Sequence, residues 1–549
     1  MLLKYLVGPF VAATVVLSGC GSTPNGTDDG GGNNPDLSRT GVDGGTPCTG
    51  TAAACAAAWE DNASLHFQSV LTTPTELTAF LAEVPKGGDL HNHLTGAVYA
   101  ETCLDWAQID GDCINMTTFS VGGASSCSAT NLPAPSSGPF FDNIVRAWSM
   151  QDFVPSPSQS GHNHFFATFG KFGLIAGAHR DDSIADLARR ASDENQLYVE
   201  TMFNMGKNVS TLASSVWTST TPPAAGDLDT FYTQLVGNAG FAAAVNSDVA
   251  VINAANSGWK SKLGCAGSSP PSACQVQMRF IAQVARTGTL EGIFGQLVSA
   301  FEMAAKTPYI VAANLSSPED DATSLKNYDV QMAMLDYLHN KYTVPKTSPL
   351  HITLHAGELV PKYLPTGSTA NTFHIRHAVE TGHAERIGHG IDILSETDSS
   401  GLMDEMRDKN VLVEVCLASN DQILEVSGTN HPLSQYLSHN VPVALATDDQ
   451  GVSRSSLAGE YARAAKDQML TYRQLKTIAR NSLEHAFIAG ASLWSIYSSL
   501  TPSTECATTA TMIPGSTPDA TCQAFLDAND RAKLQWELEK RFLAFESQQ

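Results

Sequence analysis

Two histidines near residue 90 have the types and the spacing that metal chemistry requires. His91 and His93 lie two positions apart in Pro85-Lys-Gly-Gly-Asp-Leu-His-Asn-His-Leu-Thr-Gly96, a segment with the character of a buried strand. Side chains alternate between the two faces of a strand, so both imidazoles point to the same side. Two neutral imidazoles on one face suit a zinc-type cation. Because this spacing also occurs by chance on surfaces, the pair predicts a metal site only if further ligands exist elsewhere.

Polar and ionisable residues also follow short apolar segments later in the chain. They are His355 and Glu358 in His-Ala-Gly-Glu, the pair His389-Gly390, the pair Ser419-Asn420, and the pair Asp448-Asp449. Burying a polar group at the end of an apolar strand costs free energy unless a charge or a metal compensates it. The repetition of this arrangement favours one shared site over separate core histidines and capping aspartates.

The residue types divide into metal ligands and proton carriers. Three imidazoles and one carboxylate form a candidate ligand set for one divalent metal: His91, His93, His355 and Asp448. Zinc lowers the pKa of a water that it binds from about 16 to about 7. Glu358 and His389 remain for proton transfer, since a carboxyl group with a raised pKa can donate and a histidine near its ordinary pKa can accept. The set predicts metal-assisted hydrolytic attack on an electrophilic carbon.

The apolar segments that carry these residues alternate with stretches of helical period. Beginning with the segment around Leu90, they continue at 197–203, 277–284, 309–315, 351–355, 386–389, 411–417 and 441–447. Strands that alternate with helices predict a parallel sheet built of βα units. Eight strands close a (β/α)8 TIM-type barrel, in which active sites lie where strands end and βα loops begin. We therefore predict an α/β chain of this class.

The predicted barrel occupies residues 51–500 and includes helical segments before its first strand. A cysteine-containing insertion is expected at about residues 101–160, after that strand. A helix over residues 483–500 is expected to close the barrel. Residues 501–549 form a C-terminal extension, with an amphipathic helix expected over residues 527–545.

The N-terminus resembles a bacterial lipoprotein signal peptide. An apolar run at residues 6–17 follows Lys4 and is too short to span a bilayer, and Leu17-Ser-Gly-Cys20 is similar to the lipobox, whose cysteine is acylated after cleavage. We predict a signal peptide at residues 1–20, lipidation of Cys20 and a Gly/Asn/Asp-rich tether at residues 21–50. The lipid is expected to hold the exported protein at the periplasmic side of the outer membrane or at the cell surface. An ordinary secretory signal and a chance cysteine at this position are the alternatives.

Charge and cysteine content restrict the partners and the compartment. Acidic residues outnumber basic ones by 55 to 32, which argues against nucleic acid as a partner. The 11 cysteines fit an exported chain, and those close in sequence suggest local disulfides such as Cys265–Cys274 and Cys506–Cys522. Cys416 lies in an apolar strand and is expected to be a buried free thiol.

Four further histidines are expected to have ordinary roles. His374 and His377 stand three positions apart on a predicted helix, where solvated side chains are expected. His162 and His164 repeat the spacing of the first pair, but their Ser/Pro/Gly-rich surroundings lack strand character, so no metal is expected there.

The order of the polar segments resembles that of the adenosine/AMP deaminase family. The similar segments are His91-Asn-His93, His355-Ala-Gly-Glu358, Arg386-Ile-Gly-His-Gly390, Ser419-Asn420, His431-Pro432, Thr447-Asp-Asp449 and Asn481-Ser-Leu-Glu-His-Ala-Phe487. The resemblance implies a barrel with one zinc ion on the four candidate ligands. It also implies that Glu358 protonates the purine ring nitrogen N1, that His389 deprotonates or orients the attacking water, and that Asp449 contacts the purine. The product would be inosine, with release of ammonia.

Two departures from the family pattern concern substrate contacts. Many adenosine deaminases have an aspartate near the ribose where this chain has Thr95, and a glycine where it has Ser317. Thr95, Ser317 and Asp449 are therefore the candidate substrate-binding residues. The particular aminopurine stays open among adenosine, deoxyadenosine, methylthioadenosine, adenine and AMP, and the oligomeric state stays open too.

Two other functions remain as alternatives. The chain could be another metal-dependent hydrolase of the same barrel superfamily, or a nucleoside-binding surface lipoprotein without turnover. Glu358 and His389 favour an enzyme, because a pure binding protein has no need of both proton-transfer groups. The sequence contains no G-x-S-x-G segment, which would indicate a serine hydrolase, and no P-loop, which would indicate an NTPase.

Overall fold

A computed structural model describes residues 48–343 and 346–549 and contains the predicted barrel. The predicted signal peptide, Cys20 and nearly all of the tether lie outside the described residues. The barrel strands are β1 Gly87–His93, β2 Gln196–Asn204, β3 Gln277–Ala285, β4 Ile310–Ser316, β5 His351–Ala356, β6 Arg386–His389, β7 Leu412–Val415 and β8 Val443–Leu445. Each strand pairs in parallel with the next. The expected (β/α)8 architecture is confirmed.

Backbone hydrogen bonds between β1 and the residues after β8 bring the ends of the sheet together. His93 N donates to Asp448 O at 3.0 Å, and Asp448 N donates to His91 O at 2.8 Å. The first and last candidate ligands in the chain are therefore neighbours across the closing seam of the barrel.

Helices surround the barrel, and local sequence explains where they begin. The Thr289 side chain accepts from Gly292 N at 3.2 Å and caps Leu290–Ala304, and a capping box of Thr471 and Gln474 begins Tyr472–Glu484. The other α-helices are Ala52–Val70, Pro74–Glu83, Leu94–Ala97, Ala100–Asp110, Pro139–Trp148, Gly161–Ala178, Arg180–Asp193, Lys207–Val216, Leu228–Val236, Phe241–Leu263, Ala322–Leu338, His374–Glu380, Ser399–Asp408, Leu417–Leu424, Leu433–Ser438, Gln450–Ser453, Leu457–Asp467, Ala520–Ala528 and Asp530–Glu546.

The expected insertion forms a unit with its own core after β1. Strands Cys113–Asn115, Val121–Gly122 and Asn131–Pro133 make a small antiparallel sheet, which the Cys113–Cys127 disulfide closes. Apolar side chains of the insertion, among them Trp148, pack with Phe165 and Phe172 of helix Gly161–Ala178. We call Gly161–Ala178 the covering helix, because side chains of this helix line the candidate site.

The C-terminal part differs from the prediction at one helix. The helix beside the last strand is Tyr472–Glu484, and the expected helix over residues 483–500 is wrong. Gly490 has a φ of +104°, and a Cβ there would lie 2.8 Å from Asn529 Cα, so the chain leaves helical geometry. Strand Trp494–Ile496 then pairs antiparallel with Thr501–Pro502.

The cysteine predictions agree with the structure. The expected disulfides Cys265–Cys274 and Cys506–Cys522 are present, together with Cys48–Cys55 and the disulfide of the insertion. Cys416 is a buried free thiol, as is Cys103.

Within the described ranges, length and apolar composition would allow no single helix to cross a membrane. A pair of segments, Ala225–Val236 and Phe241–Leu263, passes that test only when taken together, and it is bent by 83°.

Candidate metal centre and active site

The four candidate ligands converge on one point at the carboxyl end of the barrel. His93 Nε2 lies 3.1 Å from His355 Nε2 and 3.2 Å from Asp448 Oδ1. His91 Nε2 lies 3.5 Å from the same Asp448 oxygen. Ligand atoms that are 2.0–2.1 Å from a tetrahedral ion lie about 3.3 Å from one another, so these separations fit a zinc-sized cation. The cluster could therefore bind a metal.

Groups behind the imidazoles hold them in position for a cation. His91 Nδ1 contacts Glu414 Oε2 at 2.6 Å, and His355 Nδ1 contacts Asn314 Oδ1 at 2.7 Å. A carboxylate or amide oxygen behind a ligating histidine turns its other nitrogen toward the metal. His91 Nε2 is buried and has no hydrogen-bond partner among the described residues. These residues therefore fit a bound metal ion.

The electrostatics of the cluster favour a positive charge at its centre. Burial opposes protonation of His91, but the carboxylates of Asp448, 3.5 Å from its Nε2, and of Glu414, at its Nδ1, raise its pKa to about 10. Burial alone would raise the pKa of Asp448, but its contacts with His91 and His93 hold that pKa well below its ordinary value. The negative charges of Asp448 and Glu414 that favour protonated His91 would also favour a cation among the ligands.

His389 lies beside this cluster, and a chain of hydrogen bonds defines which of its nitrogens carries the proton. Leu433 N donates to His431 Nδ1 at 3.1 Å, so neutral His431 donates from Nε2 to Asn420 Oδ1 at 3.2 Å. The Asn420 amide nitrogen then donates to His389 Nδ1 at 3.0 Å. Burial lowers the pKa of His389 to about 3, so its imidazole is neutral. In this assignment its proton is on Nε2.

Glu358 has the environment of a proton donor. It follows Gly357 on the loop after β5, and one of its carboxyl oxygens lies 3.8 Å from His389 Nε2. Burial, followed by the negative charges of Asp448 and Glu319, raises the pKa of Glu358 well above its ordinary value. The group is therefore protonated at a pH where an exposed carboxyl would have ionised.

Close packing and strained backbone fix the remaining polar groups. His389 and Asp448 have φ values of +69° and +56°, which side chains other than glycine rarely adopt and which concentrate at functional sites. A Cβ on Gly388 would lie 2.5 Å from His91 Cε1, and one on Gly96 would collide with the Asp449 carboxylate. Burial raises the pKa of Asp449 to about 7, and its Oδ1 has no partner among the described residues.

The candidate residues of the site, except the fully buried His91, line one cavity of about 430 Å³. Its lining contains the three predicted substrate contacts, Thr95, Ser317 and Asp449, and its apolar wall comes from the covering helix through Phe165, Phe166 and Phe169. The other lining residues are His93, Asn204, Gln283, Ala285, Pro318, His355, Glu358, His389, Ile423 and Asp448. The cavity thus combines an apolar wall with polar groups at the barrel end, as small-molecule sites do.

The sequence did not reveal the residues that support this site from behind. Glu414 and Asn314 lie within strands and contact ligands far away in the chain, so no local spacing identifies them. The aromatic wall had a detectable pattern, since Phe165 and Phe169 are four residues apart on one helical face.

Two of the four histidines for which ordinary roles were expected, His374 and His162, contact carboxylates that are themselves largely buried. His374 is 0% exposed and contacts Glu319 Oε1 at 2.7 Å, so the expected solvated helix face is wrong for this residue. His162 Nε2 lies 3.3 Å from the Asp320 carboxylate and is not part of the ligand cluster described above. His377 is half-exposed beside Asp329, and His164 is bound to backbone oxygens.

Comparison with known proteins yields one family model and a set of curated relatives. Residues 247–501 match the family model of adenosine deaminase, a range that includes six of the candidate site residues but not His91, His93 and Thr95. An adenosine deaminase of Edwardsiella ictaluri is 34% identical over 157 residues, 28% of this chain and 43% of that protein. An adenosine deaminase of Vibrio parahaemolyticus is 36% identical over 143 residues, which are 26% of this chain and 39% of that protein. The chain thus spans about two-fifths of the length of these relatives.

Two solved deaminase structures align with most of the chain. The adenine deaminase of Arthrobacter aurescens has a TM-score of 0.45 and 16% identity, and the alignment covers 76% of this chain and 97% of that one. The Arabidopsis N6-mAMP deaminase has a TM-score of 0.47 and 19% identity, with coverages of 77% and 98%.

Proposed function

Because this chain belongs to the adenosine/AMP deaminase family, we propose that it catalyses the zinc-dependent hydrolytic deamination of adenosine or a related 6-aminopurine nucleoside. The products are the 6-oxopurine nucleoside and ammonia. One observation carries the proposal: three of the four candidate ligands, His93, His355 and Asp448, line the same cavity as the buried, protonated Glu358.

The proposed cofactor is one zinc ion per chain. His91, His93, His355 and Asp448 would hold it, as three nitrogen ligands and one oxygen ligand. A zinc ion in such a site lowers the pKa of water to about 7 and so makes a nucleophile available near neutral pH. Zinc suits this nitrogen-rich set better than magnesium or calcium, which prefer oxygen ligands.

The residues of the chain would control the proton movements of the reaction. Glu358 donates its proton to N1 of the purine, which makes C6 more electrophilic. His389 faces the cluster with its protonated Nε2, so it orients the attacking water by donating a hydrogen bond to it. Asp449 has an unpartnered carboxylate oxygen and contacts the purine. The aromatic wall of the covering helix excludes bulk water from the cavity.

The decisive experiment measures ammonia release by the zinc-loaded protein from adenosine, deoxyadenosine, methylthioadenosine, adenine and AMP. We expect turnover of at least one nucleoside, and the relative kcat/KM values identify the substrate that Thr95 and Ser317 select. Absence of ammonia from all five compounds, with zinc bound, would reject the proposal in favour of another barrel hydrolase or a binding protein.

We further propose that the protein is exported and anchored to a membrane by a lipid on Cys20. The similarity of Leu17-Ser-Gly-Cys20 to the lipobox supports this location. Cells supplied with labelled palmitate should label the wild-type protein and not Cys20→Ala. Equal labelling of the two would reject the anchor.

A further inference from the structure

A buried carboxylate outside the cavity lining, Glu319, holds the segment that carries the proposed proton donor. Glu319 lies on the loop after β4 and is 1% exposed. Its Oε2 accepts a hydrogen bond from Glu358 N at 2.8 Å, and its Oε1 accepts one from Gly357 N at 3.2 Å. These bonds fix the backbone of Glu358 and leave its carboxyl group free to face the cavity.

Two cationic or hydrogen-bonding partners keep Glu319 ionised. His374 Nδ1 lies 2.7 Å from Oε1, and Arg286 Nη1 lies 3.7 Å from the same oxygen. Burial raises the pKa of Glu319, but the hydrogen bond from His374 and the charge of Arg286 hold it below its ordinary value. A charged acceptor makes stronger hydrogen bonds to backbone N–H groups than a neutral one does.

The same group of residues holds the segment His355–Glu358 at both ends. Arg286 Nη2 donates to His355 O at 2.6 Å, so the backbone of a candidate ligand is fixed at the start of the segment. Glu319 fixes its end. The connected side chains therefore determine how far the proton donor lies from the ligand cluster.

The groups around the segment His355–Glu358 leave it few other contacts that could hold it in place. Gly357 has a φ of +73°, and a Cβ there would collide with the Asp392 carboxylate, so no side chain of its own can anchor it. His374 is itself rigid, because its ring stacks on Tyr328 at 3.6 Å and its carbonyl oxygen accepts from Tyr328 Oη at 2.6 Å. Glu319 thus connects a fixed helix to the segment of the donor.

We infer that Glu319 is a positioning residue, whose carboxylate places Glu358 against the substrate ring. This inference rests on the proposed function. Displacing a reacting group by about 1 Å can cost about 10²-fold in rate. Loss of the two backbone hydrogen bonds should therefore lower kcat far more than it changes KM.

The test compares Glu319→Gln with a matched control, Glu396→Gln. Glu396 is also buried, and its Oε1 accepts from Ile375 N at 2.7 Å and Arg376 N at 3.2 Å, but these donors belong to helix His374–Glu380 and not to the segment of the proton donor. In zinc-loaded protein, Glu319→Gln should lower kcat about 10²-fold, whereas KM should change less than about 3-fold. Hydrogen exchange should accelerate in the peptide that contains Gly357 and Glu358. The conservative Glu319→Asp should restore part of kcat, and Glu396→Gln should stay near wild type in both measurements.

Wild-type kcat and exchange in Glu319→Gln would overturn the inference, and so would equal losses of kcat in the two glutamine variants. If Glu319→Gln does not fold, His374→Asn carries the test. That variant leaves both backbone bonds possible but removes the imidazole, so a smaller loss of kcat is expected, and unchanged kcat with unchanged exchange would overturn the inference. If the wild type releases no ammonia from any aminopurine, the proposed function fails, while the exchange experiment still decides whether Glu319 holds the segment.

Discussion

At the scale of single residues, Glu358 gives the most direct test of the chemistry. Burial and nearby negative charges hold its pKa well above the ordinary value, so it can donate a proton near neutral pH. Glu358→Gln keeps the size of the side chain but cannot donate. We expect kcat to fall by about 10²–10⁴-fold, the usual contribution of general acid catalysis. Ammonia release measures kcat, and metal analysis should still find zinc.

The outcome of this substitution separates two roles of Glu358. Near-normal turnover would remove the proposed donor from the mechanism. Loss of zinc together with activity would show that Glu358 supports the metal site. The falling limb of the wild-type rate at high pH should also vanish in the variant, because the ionisation of Glu358 is what removes the donor as pH rises.

Single residues of the site could be predicted when local sequence marked them. His355 and Asp448 were found because polar residues follow apolar strands at those points. Glu414 could not be found, since it is a lone acidic residue inside an apolar strand and meets His91 only across the barrel. Gly388 is required because His91 packs against it, which is again a contact between distant strands.

At the scale of elements, periodic segments were predicted well. Strand β2 was expected at residues 197–203 and extends over Gln196–Asn204, and β4 was expected at residues 309–315 and extends over Ile310–Ser316. The false helix over residues 483–500 has a physical cause. Leu493 and Trp494 are apolar, but they pack in a separate core with the Cys506–Cys522 disulfide. Composition alone does not distinguish that core from a helix face.

The covering helix offers a prediction at the same scale. His162 of this helix pairs with Asp320 of the β4 loop at 3.3 Å, so the pair joins the aromatic wall to the loop that carries Ser317. Burial lowers the pKa of His162, but Asp320 outweighs it and raises that pKa above 6.5. The pair therefore holds the covering helix against the β4 loop below pH 6.5. This stabilisation is lost as pH rises through the raised pKa that His162 has in the folded protein.

We expect Asp320→Asn to raise KM about 3–10-fold at pH 6 with little change in kcat. This rise in KM corresponds to a loss of about 1 kcal/mol in the free energy of substrate binding. Steady-state kinetics from pH 6 to 9 measure the effect. Wild-type KM should rise toward the value of the variant as pH increases, whereas KM of the variant should depend less on pH. A constant ratio of the two KM values across this range would show that the pair does not hold the wall.

At the scale of the whole molecule, buried ion pairs connect both ends of the described chain to the barrel. Arg480 of helix Tyr472–Glu484 makes two hydrogen bonds of 2.7 Å to Glu539 of the last helix. Lys476 contacts Glu60 of the first helix at 2.7 Å and Glu546 at 2.6 Å. The helices that precede and follow the barrel are therefore parts of one folded body, which the composition of the C-terminal extension did not reveal.

Glu539→Gln tests this connection, because it removes the counter-charge of Arg480, whose side chain is only 15% exposed. Removing one partner of a buried ion pair costs about 3–5 kcal/mol, so the free energy of unfolding should fall by about that amount. Urea unfolding of the zinc-loaded protein, followed by circular dichroism, measures it. As a control, Glu405→Gln removes the half-buried partner of the exposed Lys409, 2.7 Å away, and should cost no more than about 1 kcal/mol. Similar losses in the two variants would show that the buried pair does not bind the last helix to the barrel. Since Glu539 is not part of the cavity lining, kcat of its variant should match the wild type at temperatures where both proteins are folded.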